Sequence, residues 1–223
     1  MAYRDFSLDQ AIAEFQLQET FDRLFPDLKP VPPSDALLRF LKVGQAIALP
    51  GGNEKARSEF LVAPILMELE LYYGDRLAIF SGKNLDVDQG QGLTGECDFL
   101  LGRGPARMMV RSPIFTVVEA KRDDVESGLG QCLAQMLGAQ QFNQGSNQNQ
   151  PDSGQPRQTI FGCVTTGEIW QFLRLQDSAF TIDSDRFYID RLDRILGCLR
   201  ACLDPVLGDA LCEDGAEDIN NLG

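Results

Sequence analysis

Residues 114–121, Ile-Phe-Thr-Val-Val-Glu-Ala-Lys, constrain this chain more than any other run. Six residues rich in β-branched and aromatic side chains read as a buried strand. Side chains alternate faces along a strand, so Glu119 and Lys121 share a face, with Ala120 between them. A carboxylate and an ammonium emerging side by side from a buried strand must satisfy each other or serve a bound group. A second apolar run, Cys97-Asp98-Phe99-Leu100-Leu101, lies just upstream. If the two runs are neighbouring strands, Asp98, Glu119 and Lys121 form a compact cluster of two acids and a lysine.

The surrounding pattern predicts a mixed α/β fold. Ser7 is placed to cap an amphipathic helix over 7–23, with Leu8, Ile12, Phe15 and Phe21 on its apolar face. Residues 25–34 are a proline-rich linker, after which Ser34 caps a second helix through 45. Asn53 caps a strong helical pattern over 53–75, in which Pro64 predicts a kink or a later start. Strands are predicted at 77–81, 94–101, 114–120, 159–165, 168–175 and 178–182, the last two as a hairpin turning near Gln176 and Asp177. Between the third and fourth lies a helix over 128–144, and residues 187–204 form an amphipathic helix. The strands before 121 are joined by loops and should be antiparallel. The helix at 128–144 is long enough to cross over to a parallel strand at 159–165. Residues 143–157 are polar and low in complexity and read as a loop.

With 223 residues the chain fits one domain. The expected division is an N-terminal helical extension (1–52), a core (53–175), a C-terminal strand and helix (176–208) and an acidic tail (209–223). No run of about 18 apolar residues suggests a transmembrane helix. The first ten residues lack the apolar region of a signal peptide, so a cytoplasmic protein with no membrane partner is expected. The chain has no histidine, which excludes Ser-His-Asp and Cys-His catalysis. Its six cysteines are scattered without a CxxC pair, so a zinc site is not expected. Nothing in the sequence suggests a nucleotide cofactor. The net charge is −13, which opposes nucleic-acid binding, but the excess acid lies mostly at the two ends. Residues 1–35 carry a net −4 and residues 176–223 a net −7, whereas the segment between them carries only −2.

The cluster suits a hard divalent cation. Mg²⁺ takes oxygen ligands and keeps several waters, so two or three carboxylates from adjacent elements can hold it. Asp98 and Glu119 would bind Mg²⁺ or Mn²⁺, with the Ala120 carbonyl as a further ligand. Lys121 would orient a water or stabilise a phosphorane-like transition state. The competing reading is a same-face surface ion pair between Glu119 and Lys121 at a strand end.

This arrangement resembles the PD-(D/E)XK, or restriction-endonuclease-like, nuclease superfamily. The resemblance covers residues 53–175 and rests on Asp98, on Glu119-Ala120-Lys121, and on the helix–strands–helix–strand order. It implies a restriction-endonuclease-like mixed central sheet flanked by helices, and metal-dependent cleavage of phosphodiester bonds, with DNA as the partner. The phrase KARSEFLVAPIL resembles the helix that carries a further glutamate in such nucleases, which implies Glu59, or else Glu54, as a metal ligand. Some members carry a glutamine on the crossover helix. Gln131 and Gln135 fall there, one turn apart, and could touch the site or a DNA backbone. The chain departs from the pattern in having Cys97 where a proline often stands. Its GLGQC and VTTG phrases also resemble compact bacterial proteins with no assigned reaction.

Candidate phosphate contacts are Lys83, Arg103, Arg107, Arg111, Arg122 and Arg157. Thr165-Thr166-Gly167 reads as a turn, and Trp170 as core. A homodimer is a further expectation, since cutting two strands needs two sites. The helices at 8–23 and 187–204 could supply its interface or could pack on the sheet. The alternative to a nuclease is a catalytically silent module of the same fold, acting in protein–protein interaction or regulation.

Overall fold

Two three-stranded antiparallel units joined by a long crossover helix organise the chain. The computed structural model describes residues 1–105, 108–145 and 158–208. Its elements are α1 (Leu8–Glu14), β1 (Gln18–Asp22), α2 (Asp35–Ala48), α3 (Glu54–Arg57), α4 (Ala63–Glu68), α5 (Glu70–Tyr73), β2 (Leu77–Asn84), β3 (Glu96–Arg103), β4 (Ile114–Ala120), α6 (Leu129–Gly145), β5 (Ile160–Thr165), β6 (Ile169–Gln176), β7 (Ala179–Asp183), β8 (Phe187–Tyr188) and α7 (Leu192–Leu207). Eight strands make one mixed sheet in the order β1-β7-β6-β5-β4-β3-β2, with β8 added to β6. The β2-β3-β4 and β5-β6-β7 units are antiparallel, whereas β4 and β5 are parallel neighbours joined through α6. This is the topology that the loop and helix lengths predict. Helices flank the sheet: one apolar core gathers α1 and α6, and the other gathers α2, α4 and α7.

Several boundaries differ from the sequence reading; among the strands, β2 runs on to Asn84 and β3 spans Glu96–Arg103. The helix predicted over 7–23 ends at Glu14, and residues 18–22 instead run as β1, parallel to β7. Gln16 turns the chain with φ of 53°. All five residues of β1 are exposed, so this edge strand is held by its backbone ladder and shows no apolar alternation to read. The helix predicted over 187–204 begins only at Leu192. Phe187 and Tyr188 pair with β6, and the Phe187 ring packs edge-on against Phe25 and Phe172. The helix expected to end at 45 continues to Ala48. The pattern over 53–75 is helical but segmented, with a π-turn at Ser58–Val62 just before Pro64. Proline lacks an N–H and its ring crowds the carbonyl four residues back, so a widened turn accommodates it.

The capping residues act as their types predict. Ser34 Oγ accepts from Leu37 N at 3.1 Å, and Asn53 Oδ1 accepts from Ala56 N at 2.9 Å. The expected hairpin turns at Asp177, where φ is 53°. Trp170 is fully buried, as expected of a core residue. Arg107, Arg157, most of the polar loop and the acidic tail lie outside the described residues. No described helix is long and apolar enough to cross a membrane.

Asn143 ties α6 to the start of β4. Its Oδ1 accepts from Ile114 N at 2.8 Å and its Nδ2 donates to Ile114 O at 2.7 Å, in a buried setting. Asn143→Leu leaves both backbone groups buried and unpaired. We expect a loss of about 2–4 kcal/mol in urea unfolding. A change within experimental error would show that the bridge contributes nothing.

Candidate active site

The site forms where β3 and β4 end against the N-terminal half of α6. Asp98 lies one step beyond the Phe99–Val118 pair of β3 and β4, beside Glu119. Its Oδ2 accepts from Ala120 N at 2.7 Å, so the side chain continues the ladder where the backbone pairing stops. The backbone of Lys121 is fixed from the other side, its N–H donating to Thr165 O of β5 at 2.7 Å.

Glu119 and Lys121 share a face, and α6 closes over them. Lys121 Nζ donates to Glu119 Oε1 at 2.6 Å and to Gln131 Oε1 at 3.1 Å. Gln135 Nε2 donates to the other oxygen, Glu119 Oε2, at 2.8 Å. The two glutamines therefore meet the two charges from successive turns of one helix. Gln135 Oε1 is buried and without a hydrogen-bond partner. Gly128 makes the close approach possible: a Cβ there would lie 2.5 Å from Val164 Cγ1 and 3.0 Å from Lys121 Cγ.

Glu119 is only 2% exposed. Burial, and then the charge of Asp98, push its carboxyl up to about 7, against the pull of Lys121 and Gln135. Asp98 is also raised, by burial first, with the Ala120 N–H and Lys121 opposing. Burial works against the Lys121 ammonium, but Glu119, Glu54 and Asp98 outweigh it and shift it upward. Lys121 thus stays positive at neutral pH.

Beside this group lies an open cavity of about 290 Å³, with Glu54, Glu59, Glu96 and Asp98 on its walls. Glu59 is exposed and pairs with Lys55 at 3.6 Å. Glu54 is the helix glutamate whose charge reaches both Asp98 and Lys121. Glu96 was not singled out by the sequence reading, yet it lies on the cavity and its charge raises Asp98. The available signal was its spacing, two residues before Asp98 on the same strand. The Ala120 backbone also borders the cavity.

The remaining candidates divide. Arg103 is engaged in structure, donating to Val206 O at 2.9 Å and lying over the Phe115 ring. Arg122 is exposed and pairs with Asp123 at 3.4 Å, whereas Lys83 and Arg111 are exposed. Thr165 and Thr166 form the expected turn. The Thr165 hydroxyl accepts from Gly167 N and donates to Ile169 O, and the Thr166 hydroxyl accepts from Ile169 N.

In kind, the donors suit a hard divalent cation. Carboxylates crowd a partly enclosed space: Asp98 raises the affinity of Glu119 for a proton, and Glu54 and Glu96 raise that of Asp98, so the site carries excess negative charge. Among the described residues, no three acidic, cysteine or histidine side chains already converge on one point. A cation here would take one or two carboxylates and complete its shell with water, as Mg²⁺ commonly does.

These features define a mixed α/β protein with a carboxylate–lysine–glutamine constellation at the ends of its central strands. No protein-family model matches the chain, and no curated protein matches it.

Proposed function

We propose that the chain is a metal-dependent nuclease with a restriction-endonuclease-like, PD-(D/E)XK core, acting most readily on DNA. The observation that carries this reading is the contact set around Lys121. A buried Glu-Ala-Lys strand end has its carboxylate and ammonium each held by a glutamine of the crossover helix, with Asp98 alongside.

Asp98 and Glu119, with the Ala120 carbonyl and either Glu54 or Glu59 from the helix, would hold Mg²⁺ or Mn²⁺. When bound, the ion supplies Lewis acidity and lowers the pKa of a coordinated water. The residues then divide the work. Lys121, kept protonated by its acidic neighbours, places positive charge where a phosphorane would build negative charge. Glu119, pushed up to about 7 in the metal-free protein, would give up its proton when it takes the ion. Gln131 and Gln135 hold the ammonium and the carboxylate in position. The acidic cavity repels phosphate, so substrate would enter with the cation. The test is cleavage of single-stranded DNA, duplex DNA, flap DNA and RNA with Mn²⁺. Failure on all four, with the fold intact, would overturn this reading.

A second reading, a silent module of the same fold, is favoured by the fact that both Glu119 oxygens are already engaged within the protein. Calorimetric titration separates the two, because a silent module takes up no Mg²⁺ or Mn²⁺ at millimolar concentration.

A homodimer would bring two such sites to a duplex. Helices α1 and α7 pack on α6 and the sheet, and contribute Ala11 and much of α7 to the two cores. A group of exposed apolar side chains instead lies on α2 (Leu38, Phe40, Val43, Ile47) and on the helical stretch after it (Phe60, Met67, Leu71). If a dimer forms there, Phe40→Glu, at a side chain 68% exposed, shifts the sedimentation profile to monomer. An unchanged profile removes this face as the interface.

A further inference from the structure

A second concave site lies on the opposite side of the sheet from α6. The linker of residues 24–31 crosses α7 and leaves a groove of about 570 Å³ beside it. Phe161 and Arg174, cross-strand partners on β5 and β6, line the groove, as do Gly197, Arg200 and Asp204 of α7. The linker is anchored rather than loosely draped. Val31 N donates to Asp193 O at 2.8 Å, and Leu24 N donates to Asp183 Oδ1 at 3.4 Å. Close contact with α7 depends on Gly197, where a Cβ would lie 2.5 Å from the Lys29 carbonyl oxygen.

The charge of this groove opposes that of the chain. Lys29, Arg174 and Arg200 line it in a protein of net charge −13. Of its two carboxylates, Asp204 is engaged: Oδ1 accepts from the Tyr73 hydroxyl at 2.6 Å, and Oδ2 from Arg200 at 3.5 Å. Arg200 lies over the Tyr72 ring, and its Nε is buried without a hydrogen-bond partner. Arg174 is half-buried, and its side chain makes no hydrogen bond or ion pair among the described residues. A guanidinium partly withdrawn from water without a partner is costly, and its planar fork suits a carboxylate or phosphate. The apolar walls, Leu24, Phe25, Leu28 and Phe161, suit a hydrocarbon or aromatic body.

We propose that this groove binds a small amphipathic anion. Its carboxylate or phosphate head would sit on Arg174 and its apolar body along the linker. The volume lies within the range of sites for small organic ligands, roughly 300–1,000 Å³. The site is separate from the Glu119–Lys121 cluster, which faces α6, and stands whether or not the chain is a nuclease.

The probes are phenyl phosphate, 4-phenylbutyrate and inorganic phosphate, titrated into the full-length chain and followed by ¹H–¹⁵N spectra. We expect saturable shifts at Gly197 and Arg174 with at least one of the two aryl probes. The probe that binds identifies the head group. Inorganic phosphate should bind about tenfold or more weakly, because it leaves the apolar walls uncovered. Arg174→Gln should weaken the aryl probe about tenfold or more, whereas Arg39→Gln on exposed α2 leaves it unchanged. Three results overturn the proposal: no saturation with either aryl probe, equal binding of inorganic phosphate, or undiminished binding by a folded Arg174→Gln protein. The wild-type shift map decides the matter even if that variant fails to fold.

Discussion

Under the proposed nuclease reading, Asp98→Ala and Lys121→Ala should each lower Mn²⁺-dependent cleavage by about 10²–10³-fold, the scale on which single groups acting on transition-state charge contribute. Asp98 is the acid at the mouth of the acidic cavity, and its removal also frees the Ala120 N–H it now holds. Lys121 is the cation in contact with Glu119, with only a sixth of its side chain exposed. Its removal takes away the positive charge and leaves Glu119 buried beside Asp98. Gln135 acts through Glu119, to which it donates, so Gln135→Leu should cost about 10–100-fold, the range seen when a supporting hydrogen bond to a ligand is removed. The two helix glutamates separate in the same assay. Glu54→Gln should reduce cleavage more than Glu59→Gln, because the charge of Glu54 reaches Asp98 and Lys121 while Glu59 pairs with exposed Lys55. Circular dichroism confirms that each variant is folded. Wild-type rates in both Asp98→Ala and Lys121→Ala would sink the assignment of the site.

Much of this site was legible because it lies on periodic elements. The run at 114–120 matches β4 residue for residue, since a strand buried along its whole length reads as a nearly continuous apolar run, here broken by Thr116 and Glu119. The alternation within it put Glu119 and Lys121 on one face, and their contact follows. The spacing of Gln131 and Gln135 put them on one face of a helix, but only the parallel placement of β5 beside β4 explains why α6 lies over the site. Two features left no such trace. Gly128 opens the predicted helix over 128–144 like any glycine at a helix start until Lys121 and Val164 are seen against it. β1 is exposed at every residue, so the apolar pattern that reveals β4 is absent there. The preference for Glu59 over Glu54 rested on the resemblance alone, because the π-turn at Ser58–Val62 resets the helical phase between the cap at Asn53 and the rest of the segment, and spacing could not order the two.

The metal-free protein should lose stability as pH rises from about 4.5 to about 7, with Glu119 the main source. Its carboxyl sits near 4.5 when unfolded and near 7 when folded, so the folded state binds the extra proton between those values. Stability from this group is fully present below the unfolded value and is lost as pH passes through the folded one. Asp98 and Asp183, both raised by burial, add to the same slope at lower pH. At 1.36 kcal/mol per unit, Glu119 alone contributes on the order of 3 kcal/mol across this window, a large part of a typical domain's stability. The measurement is urea unfolding at a series of pH values in the presence of a chelator. Glu119→Gln, which cannot ionise and still accepts from Lys121, should flatten the profile. Saturating Mn²⁺ should flatten it too, because a bound cation stabilises the ionised carboxylates and adds its binding free energy to the folded state. A wild-type profile that stays sloped in Mn²⁺ but flattens in Glu119→Gln would separate the buried acid from metal binding. It would leave Glu119 as a buried core acid and favour the silent module.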